Sequence, residues 1–162
     1  GFDGDTTELL LNKTDISHSH IFEPSFINYD KAKKRLTNHN NVTFHNFGLS
    51  SKFQNLSFLD NNGSASKITN EGENEMEFKP LDAVEINEVG IIKIDVEGHE
   101  IDVLMGAIKT IKKFKPEIMV AIYHSGKDFI EIYKLIKSFN IYSKFYLRHY
   151  TEGWSETILI CK

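Results

Sequence analysis

Two short apolar runs, GIIKIDV (90–96) and EIMVAIYH (117–124), flank a stretch in which Ile101, Leu104, Ile108, Ile111 and Phe114 recur every three or four positions. This arrangement limits the fold more than any other feature of the chain. An apolar run of this length without alternation suits a strand covered on both faces. Spacing of three and four predicts one amphipathic helix from 101 to 114, and Pro116 cannot continue it. A strand, a helix and a second strand form a crossover unit whose strands lie parallel. The chain is therefore expected to be an α/β protein built on a mostly parallel sheet.

The remaining segments extend this pattern. HSHIFEPS (18–25) reads as a short strand, and Ser25 is placed to cap a helix carrying Phe26, Tyr29 and Leu36. NVTFHNFGLS (41–50) reads as a strand that breaks at Gly48, and KFQNLSFLD (52–60) alternates like an antiparallel strand. Residues 61–74 are polar and rich in Gly, Ser and Asn, which predicts a loop. EMEFKPLDAV (75–84) predicts a short strand and then a turn or short helix. Ser125 and Asp128 resemble a capping box for a helix through Ile132 and Ile136. IYSKFYLRHY (141–150) and ETILICK (156–162) have no helix between them, so they predict an antiparallel hairpin at one sheet edge. At the front, GFDGDTTELLLNK reads as a turn over Gly1 to Asp5 that opens a helix. Such a turn usually follows a strand, and none precedes it here, so the first strand is expected to be missing from the chain.

Composition removes several classes of function. There are 19 Lys and Arg against 23 Asp and Glu, a net charge of -4, which offers no nucleic-acid surface. The single cysteine, Cys161, cannot form an internal disulfide and suits a reducing compartment, so a cytoplasmic location is expected. No apolar run reaches the ~18 residues of a transmembrane segment. Phosphate loops, dinucleotide fingerprints and the nucleophile elbow of hydrolases are not found.

In open parallel sheets, ligands bind at the carboxyl ends of the strands. Acidic residues gather at three such places: Asp3 and Asp5 in the first turn, Glu23, and the group Asp95, Glu97, His99 and Glu100. A strand-end carboxylate such as Glu23 accepts two hydrogen bonds and suits the two hydroxyls of a ribose. Gly1 would let the backbone approach such a ligand closely. Together they point to a nucleoside-containing cofactor. Asp95 ends a buried strand, where a carboxylate needs a partner. Asp95, Glu97 and His99 also offer metal-binding atoms, which keeps a metal-dependent hydrolase open as an alternative, although their spacing assigns no metal. Glu100 and Asp102 read as first-turn acids favoured by the helix dipole.

These residues resemble a known family, the FkbM-type S-adenosylmethionine-dependent methyltransferases. KIDVEGHEIDVLMGA (93–107) is similar to the segment that follows the family's middle strand. GFDGDTT looks like the second half of its first motif, and IFEP like the end of its second strand. PLDAV, AIYHSGKDFIEI and YLRHYTEGWSETIL also look like family sequence, so the resemblance covers essentially the whole chain as one methyltransferase-like domain, 1–162, truncated at its N-terminus. It implies a Rossmann-like methyltransferase sheet with S-adenosyl-L-methionine as cofactor. By that analogy Glu23 would bind the ribose, Gly1, Asp3 and Asp5 would lie against the methionine half, and Gly48, Leu49 and Ser64 would border the adenine. Asp95 would face the methionine end or the acceptor. His99 and His124 would be the candidate general bases for O-methylation of a sugar or small hydroxyl compound. The missing strand lies at the centre of such a sheet, so a degenerate, non-catalytic domain is the second alternative.

Overall fold

The computed structural model describes residues 1–59, 67–68, 74–153 and 155–162. The expected loop at 61–74, with the adenine candidate Ser64, falls almost wholly outside these residues. The chain packs as two compact units, residues 1–49 with 53–79 and residues 50–52 with 80–162.

The first unit opens with helix α1 (Asp5–Lys13), strand β1 (Ser19–Phe22), helix α2 (Phe26–Arg35) and strand β2 (Val42–His45). β1 and β2 pair in parallel, with Ser19 opposite Val42 and Phe22 opposite His45. Ser25 caps α2 as its sequence predicts, its hydroxyl accepting the amide of Asn28 at 3.3 Å. Ile21 of β1, Ala32 of α2 and Leu36 at the end of α2 are buried. Arg35 ties the end of α2 to the first turn: Nε donates to the carbonyl of Asp3 at 3.0 Å, and the guanidinium pairs with Asp3 and Glu8. The run 41–50 is not one strand. It leaves β1 at Asn46, whose side-chain amide donates to the carbonyls of Glu23 and Pro24. Strand β3 (Gly48–Leu49) then joins a separate sheet with β4 (Gln54–Leu59), β5 (Lys67–Ile68) and β6 (Asn74–Lys79), in the order β3-β6-β4-β5.

The second unit contains a 3-10 turn (Leu81–Ala83), β7 (Ile91–Ile94), α3 (Glu100–Met105), α4 (Ile108–Phe114), β8 (Glu117–Ala121), α5 (Asp128–Ser138), β9 (Phe145–His149) and β10 (Thr157–Cys161). Its sheet runs β7-β8-β10-β9. β7 and β8 are parallel, as their crossover requires, and β10 is antiparallel to both β8 and β9. The C-terminal hairpin thus takes its expected place at a sheet edge. Leu104, Ile111, Ile118, Ile132 and Ile136 are fully buried. Each contributes about 1.5–3 kcal/mol by leaving water.

Three sequence expectations change. The single helix at 101–114 divides at Gly106 and Ala107. The carboxylate of Asp82 accepts the amides of Lys109 and Thr110 at 2.9 and 2.8 Å, so a distant residue caps a new helix. A Cβ on Gly106 would lie 1.9 Å from the carbonyl oxygen of Ser50, so only glycine allows that approach. Ser125 and Asp128 keep half of a capping box: the Asp128 carboxylate accepts the Ser125 amide, but the Ser125 hydroxyl accepts the amide of Lys127 and Asp128 is the first residue of α5. Finally, the strands among the described residues form three sheets rather than one, with antiparallel pairs at β4 and the C-terminal hairpin as expected.

Candidate active site

In the first unit, β1 carries Glu23 to its carboxyl end, where the side chain is buried at 7% exposure. Oε2 accepts the amide of Phe2 at 2.6 Å and Oε1 accepts the amide of Ser25 at 3.0 Å. The structure therefore brings the turn at Gly1 and the strand end together. A Cβ on Gly1 would meet the Glu23 carboxylate at 2.7 Å, a contact that glycine avoids. Asp3 and Asp5 turn elsewhere: Asp3 pairs with Arg35, and Asp5 caps Thr6. Gly48 and Leu49 lie in β3, just beyond the Asn46 side chain that holds the Glu23 backbone.

In the second unit, the loop after β7 turns sharply. Glu97 and Gly98 both adopt left-handed backbone, with φ of 55° and 94°. Such a conformation is uncommon for a glutamate and persists where surroundings fix it. Glu100 provides that hold. It is 1% exposed, and its Oε1 accepts the amides of Val96 and Gly98 at 3.1 and 3.3 Å and meets Nδ1 of His124 at 2.8 Å. Burial pushes the Glu100 carboxyl up, but the bond from His124 and the backbone amides outweigh it and hold the group below its ordinary value.

His124 follows β8, and its side chain is 8% exposed. Nε2 lies 3.5 Å from Asp95 Oδ1 and 3.7 Å from Glu97 Oε2. Burial lowers the imidazole pKa, yet Glu100, Glu97 and Asp95 together overcome that and leave it raised. Asp95 is oriented by Lys93 Nζ at 3.3 Å and by the Tyr123 hydroxyl at 3.4 Å. The Tyr123 phenol also reaches Glu156, and burial and these carboxylates push its pKa up. Asp128 is buried at 8% exposure, and burial raises its pKa, with the charge of Glu100 adding to the rise. A cleft of about 350 Å³ is lined by Ile122, Tyr123, Ser125, Gly126, Phe129 and Thr157.

His99 sits apart from this group. Its Nε2 meets Ser50 Oγ at 3.0 Å and its Nδ1 lies 3.4 Å from Asp102. Burial holds its pKa down. Ser50, His99 and Asp102 have the connectivity of a hydrolase triad, but Ser50 is fully buried and its hydroxyl meets no substrate. The grouping of Asp95, Glu97 and His99 is likewise corrected: His124 occupies the place given to His99. Cys161 is buried, with its thiol pushed up to about 12, so it is inert as a nucleophile.

Sequence reasoning missed Glu100 and Tyr123. An acid in the first turn of a helix is explained by the dipole alone, so nothing in its position signals burial. Tyr123 had one signal, its place beside a histidine at the end of a buried strand.

The FkbM methyltransferase domain model matches residues 3–143. The chain belongs to the FkbM methyltransferase family. A crystal structure of methyltransferase FkbM from Methylobacillus flagellatus KT aligns with 99% of the chain at 23% identity and a TM-score of 0.81. The chain spans 41% of that protein's length. A putative rRNA-methylase from Clostridium thermocellum shares the fold more distantly, with a TM-score of 0.51, 16% identity, and coverage of 99% of this chain and 82% of that one. No curated protein sequence matches the chain.

Proposed function

We propose that the protein is an S-adenosylmethionine-dependent methyltransferase that acts on a hydroxyl group of a sugar or another small molecule. The family match over residues 3–143 carries this reading. The chemistry that S-adenosylmethionine supplies when bound is an electrophilic methyl group on a good, neutral leaving group.

The donor set in the first unit fits a nucleoside. A carboxylate has about four lone-pair sites. The two amides that Glu23 accepts fix its orientation at the strand end, and the same oxygens serve vicinal ribose hydroxyls. The backbone of the turn from Gly1 to Asp5 lies against the methionine half, with the Asp3 side chain held away from it by Arg35. Gly48 and Leu49 border the base.

In the second unit the acceptor lies in the cleft beside Tyr123. Asp95 accepts the hydrogen bond of the acceptor hydroxyl and aims an oxygen lone pair. Lys93 and the Tyr123 hydroxyl hold Asp95 in place. His99 secures the start of α3 against Ser50 and acts by positioning that loop. The neutral leaving group makes alignment more important than a strong base.

Calorimetric titration of S-adenosylhomocysteine into the full-length protein tests this reading. Binding on the order of micromolar is expected. Glu23→Ala is expected to weaken it at least about tenfold, because a charged hydrogen-bond acceptor is lost. Wild-type protein that binds no S-adenosylhomocysteine would sink the proposal.

A further inference from the structure

His124 has an atom that the methyl-transfer reading does not use. Its side chain is more than nine-tenths buried, and Nε2 has no hydrogen-bond partner among the described residues. The ring cannot turn away, because Nδ1 is held by Glu100 at 2.8 Å. A histidine whose Nδ1–H donates to a carboxylate keeps its Nε2 lone pair for another partner. In metalloproteins this carboxylate–histidine pair fixes the tautomer and orientation of a metal ligand.

Two carboxylates face that atom. Asp95 Oδ1 is at 3.5 Å and Glu97 Oε2 at 3.7 Å, both too long for a hydrogen bond. Metal–ligand bonds of about 2.0–2.2 Å place neighbouring donors roughly 3–3.5 Å apart. The two separations from Nε2 are near what one ion requires. Charge points the same way. Asp95, Glu97, Glu100 and Asp128 surround one imidazole, and Lys93 is the cation paired with Asp95.

We propose that Asp95, Glu97 and His124 bind one divalent cation, with Glu100 as the carboxylate that orients His124. Glu100 Oε1 already takes two backbone amides and the imidazole, so it positions a ligand rather than serving as one. The Tyr123 hydroxyl and Lys93 play the same part for Asp95. Two carboxylate oxygens and one imidazole nitrogen suit Mn²⁺ or Zn²⁺ better than the all-oxygen preference of Ca²⁺ or Mg²⁺. Three protein ligands leave coordination positions open. Resting on the methyltransferase reading, those positions would hold an oxygen of the acceptor.

The test is a titration of Mn²⁺ alone into chelator-stripped full-length protein, with free Mn²⁺ followed by electron paramagnetic resonance. One saturable site per chain is expected. Asp95→Asn and Glu97→Gln change side chains that are 25% and 30% exposed, and circular dichroism verifies their folds. Each is expected to weaken Mn²⁺ binding about tenfold or more. Absence of saturable binding, or equal affinity in both folded variants, overturns the site. S-adenosylhomocysteine titrated into the same samples separates the two readings. Cofactor binding without Mn²⁺ binding removes the metal site alone. Mn²⁺ binding without cofactor binding upholds the site and removes its acceptor role.

Discussion

Glu100 joins three backbone and side-chain partners through one oxygen, so its removal acts on several contacts at once. Glu100→Gln keeps the volume of the side chain but removes its charge and turns one acceptor into a donor. Rotating the amide cannot satisfy Val96, Gly98 and His124 together with the same strength. A buried group left without its proper partner costs roughly 1–3 kcal/mol. Chemical denaturation at neutral pH should show a loss of stability of about that size. An unchanged midpoint would mean that the left-handed turn at Glu97 and Gly98 is held by something other than Glu100. The same residue shows where sequence reading stops. Asp95 stood out in the sequence because a carboxylate ending an apolar strand has no bland explanation. Glu100, five residues on, had one, and its burial depends on β8 delivering His124 from 24 positions away.

The β1–β2 pair carries a second histidine arrangement with a different consequence. His20 Nδ1 and His45 Nε2 are 3.1 Å apart across the two strands, and the rings stack. One ring must donate and the other accept, so a second proton places two donors face to face. Burial is the larger cause that lowers both pKa values, and the neighbouring His18 and His20 charges add to it. The folded state therefore resists protonation, and the unfolded state, with a value near 6.5, binds more protons. Stability attached to this pair is fully present above pH 6.5 and is lost as pH falls through the folded values. Urea midpoints measured from pH 7.5 to 5 should decline, and His45→Phe should flatten that decline. An unchanged slope in the variant would assign the pH dependence to other groups. At this scale the periodic elements were the legible ones. β7, β8 and the C-terminal hairpin followed from run length and connection alone. The division at Gly106 and the separation of β3 from β2 were hidden, because Asp82 and Asn46 act through contacts far apart in sequence.

Charge over the whole chain bears on which acceptor class is open. The fold is shared with a putative rRNA-methylase, and fold likeness alone would admit RNA as a substrate. RNA binding draws much of its affinity from neutralising phosphates with Lys and Arg, and this chain carries a net charge of -4. Its acids also gather where the acceptor is proposed to lie, at Asp95, Glu97 and Glu100. A phosphate backbone brought there would meet like charge, whereas a neutral sugar hydroxyl would find acceptors. A divalent cation would offset part of this repulsion locally but would not create a basic track along a strand of RNA. Fluorescence anisotropy with a structured RNA hairpin at about 50 mM salt should therefore show no saturable binding tighter than ~10 µM. Tight binding that weakens steeply with added salt would reverse the assignment and make the acceptor a nucleic acid. The same assay with Mn²⁺ added separates a weak metal bridge, which a chelator abolishes, from a true RNA surface, which it does not.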